Sequence, residues 1–195
     1  MSEQPDPSCP FCAIASSYAP YPPTSPPPAT SPHLSPTVTS PQTHLILSTP
    51  HVVSFLDILP LAPAHLLLCP RAHRPKLTDV AGDEAAEMGR YLPVLSRAVV
   101  EVLGEGTDWN VVQNNGVGAG QVVGHVHFHV IPRRSASSGE GWGGSGSEGE
   151  GRFAKSFAMF GKGAREELDD DEGREMAARL REAVAEVLRR DNSKL

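Results

Sequence analysis

The chain has 195 residues and a mass of 20.8 kDa, enough for one domain with attached loops. Its 17 Lys+Arg against 23 Asp+Glu give a net charge of −6 and a pI near 5.7, which argues against a general binder of nucleic-acid polymers. Hydrophobic residues are 39% and aromatics 6%, while 19 prolines and 18 glycines fall in clusters, so the core-forming sequence is about 130 residues. No apolar run approaches the ~18 residues of a membrane span, and His65-Leu-Leu-Leu-Cys69 is strand-sized. The start, MSEQPDPSCP, lacks the basic and apolar regions of a secretory signal, so a cytoplasmic or nuclear setting without membrane contact is expected. Three cysteines are too few for a disulfide scaffold, and Cys9-Pro-Phe-Cys12 in a reduced compartment suggests metal before disulfide.

In chain order, residues 1–19 form an N-terminal cysteine-pair segment. Residues 20–42 read as a Pro/Ser/Thr-rich insertion with too few apolar anchors to offset its ordering entropy. A core at 43–134 opens with strands expected at Val52–Ile58 and Leu66–Cys69 around the Leu59-Pro60-Leu61-Ala62-Pro63 turn. Met88, Leu92, Leu95, Val99, Val102 and Leu103 recur at helical spacing over 83–103, with Gly104 as the stop and Pro93 as a potential kink. Trp109–Gln113 and Val122–Ile131 are the clearest later strands. Residues 135–165 form a Gly/Ser-rich segment, flexible around Gly139–Gly151. In 166–195 a final helix near 170–190 has an acidic start and a basic end that suit the helix dipole. Strands and helices are segregated, which favours an α+β fold with an antiparallel sheet.

The most informative stretch is Gly124-His-Val-His-Phe-His-Val-Ile-Pro132. On a strand His125, His127 and His129 share one face, ~6.6 Å apart, while Val126, Phe128 and Val130 point into a core. Three readings stand side by side: a polar strand face, a metal site built on neutral imidazoles, or a catalytic row.

His125-Val-His-Phe-His-Val-Ile131 resembles the motif of the histidine triad family, three histidines alternating with apolar residues. Asn114-Asn-Gly-Val-Gly-Ala-Gly-Gln121, Phe55-Leu-Asp-Ile58, His65-Leu-Leu-Leu-Cys-Pro70 and Arg71-Ala-His73 resemble other blocks of that family in order, and Cys9-Pro-Phe-Cys12 its zinc-carrying members. The resemblance implies a homodimer and hydrolysis or transfer at the α-phosphate of a purine nucleotide, with His127 as nucleophile through a covalent nucleotidyl-imidazole. It implies that His129 and His65 hold phosphate oxygens, that Asn114, Gln121 and the loop through Gly120 face phosphate or ribose, and that Asp57 takes the ribose hydroxyls. Phe55 and Ile58 would pack on the base. Cys9, Cys12, His73 and His125 would hold a structural zinc, a closed Cys2His2 set, and no organic cofactor is implied. One departure is Val122, where the phosphoramidase branch commonly has a hydroxyl residue after the glutamine. The expected activity is therefore a nucleoside phosphoramidate hydrolase. The alternatives are a dinucleoside polyphosphate hydrolase or a nucleotide-binding interaction module.

Overall fold

The computed structural model describes residues 5–34, 41–104, 106–134 and 166–193. The expected flexible loop at Gly139–Gly151 and residues 35–40 of the proline-rich segment lie outside the described residues. Helix α1 is Pro10–Ser17, followed by strands β1 (Leu45–Ser48), β2 (Val52–Leu56) and β3 (Leu66–Pro70). Helix α2 is Gly82–Leu103, strands β4 and β5 are Thr107–Gln113 and Phe128–Arg134, and helix α3 is Asp170–Asn192. The five strands form one sheet in the order β1-β2-β3-β5-β4. Every neighbouring pair is antiparallel, as the segregation of strands and helices predicts.

The period-2 alternation of each strand divides the sheet into two faces. Val52 and Leu56 on β2, Leu66 and Leu68 on β3 and Val130 on β5 join the main core, which α2 covers with Met88, Leu95 and Val99 and α3 with Leu180, Val184 and Val187. Val53, Phe55, Leu67 and Cys69 point to the other face and pack against Cys9, Phe11, Cys12 and Ala15 of the α1 region. The smaller cluster is where the candidate site lies.

Both long helices end as their sequences suggest. Asp169 caps α3 by accepting from the backbone N–H groups of Asp171 and Glu172 at 2.9 and 3.1 Å. Pro93 sits inside α2, which runs from Gly82 to Leu103 without interruption, and the proline withholds one backbone donor there. Gly104 adopts φ +102° and stops the helix, as expected.

Three local features differ from the sequence reading. First, β5 begins at Phe128, so His125 and His127 precede the strand instead of lying on it. Val126 donates its N–H to the Arg74 carbonyl at 2.6 Å, and His125 donates its own to the Val123 carbonyl at 2.8 Å, so this run is tied to loops and not to a ladder. Second, α1 and β1 are elements that short, proline-flanked sequence did not signal. Third, the proline-rich segment carries two anchors: the Tyr21 hydroxyl donates to the Ile46 carbonyl at 2.8 Å, and Leu34 is buried against Tyr18 and Leu45. Among the described residues, no helix is long and apolar enough to cross a membrane.

Candidate active site and candidate metal centre

The hairpin between β2 and β3 sets the floor of the site. Beyond the β2 ladder, Asp57 donates its N–H to the His65 carbonyl at 2.9 Å, which places the two side chains at the mouth of the hairpin on the α1 side. Ala64, at φ +60°, turns the chain into His65, a left-handed conformation that non-glycine residues rarely hold. One residue later the strand begins and His65 is buried.

Ring nitrogens then fall into a definite order. The Leu61 N–H donates to His65 Nδ1 at 3.1 Å, so the His65 proton resides on Nε2. That Nε2 faces His129 Nδ1 at 3.0 Å, and donating there leaves the His129 proton on its own Nε2. Asp57 Oδ2 stands 3.5 Å from His65 Nδ1 and 3.9 Å from His129 Nδ1, while its Oδ1 accepts from the Leu59 N–H at 2.9 Å. Asp57, His65 and His129 could hold a cation by proximity, but both ring nitrogens of His65 already face hydrogen-bond partners.

His127 is fixed differently. Its Nδ1 donates to the His125 carbonyl at 2.6 Å, which leaves Nε2 with the lone pair. Burial pushes the pKa of His127 down, so the ring is neutral and nucleophilic at pH 7. The His127 and His129 ring centres are 4.9 Å apart. The structure thus brings His65, His127, His129 and Asp57 together beside the β2–β3 hairpin.

The glycine-rich loop lies at the end of β4. Gly116 and Gly120 adopt φ +88° and +83°, conformations that side chains rarely tolerate, and they reverse the chain there. Gln121 is buried as the brace of this loop: Oε1 accepts from Gly116 N–H at 2.6 Å and Nε2 donates to the Pro75 carbonyl at 2.9 Å. The Asn114 amide nitrogen lies 3.9 Å from where a Cβ on Gly120 would stand, so Asn114 closes the same loop. Val122, next to Gln121, is 94% exposed and offers no proton. Ile58 is partly exposed beside Asp57, whereas Phe55 is buried.

Cys9 caps α1 and Cys12 lies in its first turn; His73 follows β3 and His125 precedes β5. Their ligating atoms all lie within 4.8 Å of one another. Cys9 Sγ is 3.4 Å and Cys12 Sγ 3.6 Å from His125 Nδ1, and Cys12 Sγ is 3.3 Å from His73 Nδ1. A tetrahedral ion with ordinary zinc–sulfur and zinc–nitrogen bonds has a sulfur–nitrogen edge of about 3.6 Å. These three sulfur–nitrogen distances match such an edge, so the donor set fits a tetrahedral ion. His125 Nε2 donates to the Pro70 carbonyl at 2.9 Å, which turns the Nδ1 lone pair toward the thiols. Burial lowers the His125 pKa to about 4, so the ring is neutral as a ligand must be. Burial also pushes the Cys12 thiol up to about 11, with Cys9 adding to the shift; a cation at the centre would reverse this.

The sequence reading missed Phe11. Its ring meets His127 at 5.1 Å, Phe55 at 5.4 Å and His125 at 5.9 Å, edge-on in each case. The signal was its place between two candidate ligands, since a residue so bracketed must lie where they lie.

Comparison with known proteins agrees with this geometry. The HIT domain family matches residues 39–136, half of the chain. An adenosine 5'-monophosphoramidase of Candida albicans is 41% identical over 105 residues, 50% of this chain and 66% of that protein. An adenylylsulfatase of Arabidopsis thaliana is 39% identical over 79 residues, 40% of each chain. The chain thus spans less than two thirds of the length of these curated relatives. A crystal structure of a zinc-bound histidine triad family protein from Mycobacterium smegmatis superposes with a TM-score of 0.56 at 26% identity, covering 95% of this chain and 97% of that one. With the alternating histidines, the hairpin histidine and the antiparallel sheet in place, the chain belongs to the HIT domain family.

Proposed function

We propose that the protein hydrolyses nucleoside phosphoramidates at the α-phosphate through a covalent nucleotidyl-His127 intermediate. The observation that carries this reading is the 2.6 Å bond from His127 Nδ1 to the His125 carbonyl, which presents Nε2 as a buried, neutral nucleophile. In the first step the Nε2 lone pair forms a nitrogen–phosphorus bond as the phosphorus–amine bond breaks, and the amine departs with a proton from solvent. In the second step water attacks the same phosphorus, releasing the nucleoside monophosphate and restoring neutral His127. His129, with its proton on Nε2, donates to the phosphoryl oxygen as charge develops there, and His65 holds that tautomer from behind. Asn114, Gln121 and the loop through Gly120 shape the phosphate side, Asp57 takes the ribose hydroxyls, and Ile58, backed by the buried Phe55, forms the purine side. The name of the Candida albicans relative, a monophosphoramidase, supports the substrate class.

The group that fits the Cys9, Cys12, His73 and His125 centre is zinc, in a closed Cys2His2 set that holds chain and takes no substrate. The zinc-bound relative supports this choice. Trp109 and Val111, 44% and 45% exposed on the edge strand β4, supply apolar surface for a homodimer. Three buried free cysteines suit the reducing cytoplasm or nucleus.

A second reading, hydrolysis of dinucleoside polyphosphates, is favoured by Val122, because a phosphate leaving group departs without the proton that Val122 cannot give. The test compares turnover of AMP-morpholidate with diadenosine tri- and tetraphosphate, in the wild type and in His127→Ala. Faster turnover of the amidate, abolished in His127→Ala with nucleotide binding intact, supports the first reading. Faster turnover of the polyphosphates supports the second. Near-normal turnover by His127→Ala defeats both.

A further inference from the structure

We infer that the metal centre positions the nucleophile as well as stapling the chain, so that emptying it switches off chemistry while the fold persists. The inference rests on the reading of His127 as nucleophile, and three features of the structure carry it.

The first is a shared residue. His125 turns Nδ1 toward the two thiols, donates Nε2–H to the Pro70 carbonyl, and accepts the His127 Nδ1–H on its backbone oxygen. A ring held at both nitrogens restrains its own backbone, and that backbone carbonyl selects the His127 tautomer. When one of the two restraints is lost, only the Val126 N–H bond to the Arg74 carbonyl, at 2.6 Å, still holds the peptide whose oxygen selects the His127 tautomer, and the His127 proton can occupy either nitrogen.

The second is Phe11. It lies between Cys9 and Cys12, so an ion that fixes both sulfurs fixes the Phe11 backbone as well. Its ring stands edge-on to His127 at 5.1 Å and 89°, and edge-on to His125 at 5.9 Å and 65°. Phe11 thus restrains the plane of the nucleophile by edge-on contact. It is a positioning residue, acting through His127.

The third is how α1 is held. An eight-residue helix has no independent stability in water, and this one has no side-chain cap. At its C-terminal end the Arg71 guanidinium donates to the Ala15 carbonyl and, at 2.6 Å, to the Tyr18 carbonyl. At its N-terminal end stands the metal centre. Emptying the centre leaves α1 held at the Arg71 end and by its apolar packing on Val53, Phe55, Leu67 and Cys69, a looser seat in which the Phe11 ring can turn away from His127. The main core lies across the sheet, with α2 and α3, and contains none of Cys9, Phe11, Cys12, His73 or His125. The α+β body therefore keeps its main core when the centre is emptied.

The test uses the full chain loaded with Zn2+, then stripped with a chelator, then reloaded. Far-UV circular dichroism follows the fold, and 15N shifts of the imidazoles at neutral pH report which nitrogen of His127 carries its proton. Expected for the stripped protein are an unchanged helix signal, a mixed His127 tautomer, and a kcat lower by about 10²-fold with KM changed far less, all reversed by Zn2+. Zinc-loaded Phe11→Ala should lose kcat in the same way, and Phe11→Leu should recover most of it by restoring apolar bulk. Co2+ loading gives a visible absorption band for a tetrahedral Cys2His2 site and verifies that each variant still holds metal. A stripped protein that keeps its kcat and its Nδ1–H signal overturns the inference, and so does a helix signal that melts together with metal loss. If the loaded wild type turns over neither phosphoramidate nor polyphosphate, the proposed function fails while the imidazole measurement still decides the coupling.

Discussion

Gly173 offers the sharpest test of how α3 seats on the sheet. His44, just before β1, lies buried under the first turn of α3, with Nε2 3.5 Å from Asp170 Oδ1. A Cβ at Gly173 would overlap His44 Nε2 and stand 2.5 Å from Cδ2 and 2.9 Å from Cε1. All three atoms belong to one rigid ring, so a small torsional adjustment cannot relieve the overlap. Overpacking of this kind costs about 1–3 kcal/mol, while replacing a helical glycine with alanine gains up to about 1 kcal/mol. Gly173→Ala should therefore destabilise the protein by about 1–2 kcal/mol, read from the midpoint of urea unfolding. Removing the ring should invert the sign: in a His44→Ala background, Gly173→Ala should stabilise by about 0.5–1 kcal/mol. The Leu168 N–H donates to the Ile58 carbonyl at 2.9 Å, so the strain should also loosen the Asp57–Ile58 corner and speed amide exchange at Leu168. A neutral or stabilising Gly173→Ala in the wild-type background would refute the close approach and the seating built on it.

Three further outcomes follow from the same geometry. Burial pushes His44, His125 and His127 down, His125 to about 4, so below about pH 6.5 the unfolded chain binds more protons than the folded one. Stability of metal-stripped protein should fall as pH drops from about 6.5 toward 4, by up to about 1.4 kcal/mol per pH unit for each histidine, and a flat urea midpoint across that window would contradict it. Arg74 and Glu84 form a buried bidentate pair at 2.8 and 2.9 Å, and the Arg74 carbonyl holds the run leading to His127. Glu84→Ala strands the guanidinium and should cost about 3 kcal/mol or more, visible as a melting temperature lower by roughly 6 °C; a shift under about 2 °C would count against the pair. The Ser54 hydroxyl is fully buried with no hydrogen-bond partner among the described residues, so Ser54→Ala should be neutral or stabilising by about 1 kcal/mol, and a clear loss of stability would reveal a partner.

Much of the fold and the candidate site was legible in the sequence for a local reason. Val52–Leu56 and Leu66–Pro70 are short runs buried at every residue, and Gly82–Leu103 and Asp170–Asn192 bury one face at helical spacing, so the apolar pattern locates them. The alternating histidines and the C-x-x-C spacing are likewise local, and with the family resemblance they named the residues that now converge. What the sequence could not express is convergence itself. Helix α1 has too little periodicity to be seen and exists because Arg71 and the cysteine-side packing hold it. The extended reading of Val122–Ile131 overran its strand because hydrogen bonding to the Arg74 loop, and not the apolar pattern, decides where pairing with β3 begins. Phe11 became part of the site only when residues more than a hundred positions apart met across the sheet. The tautomers of His65 and His127 depend on the backbone groups of Leu61 and His125, which only the folded turn and loop aim at them, and that of His129 depends on His65, a partner that tertiary contact alone supplies. Residue types determined which atoms could ligate, attack or donate; the packed sheet decided where each proton sits, because a ring nitrogen takes its role from the group that faces it.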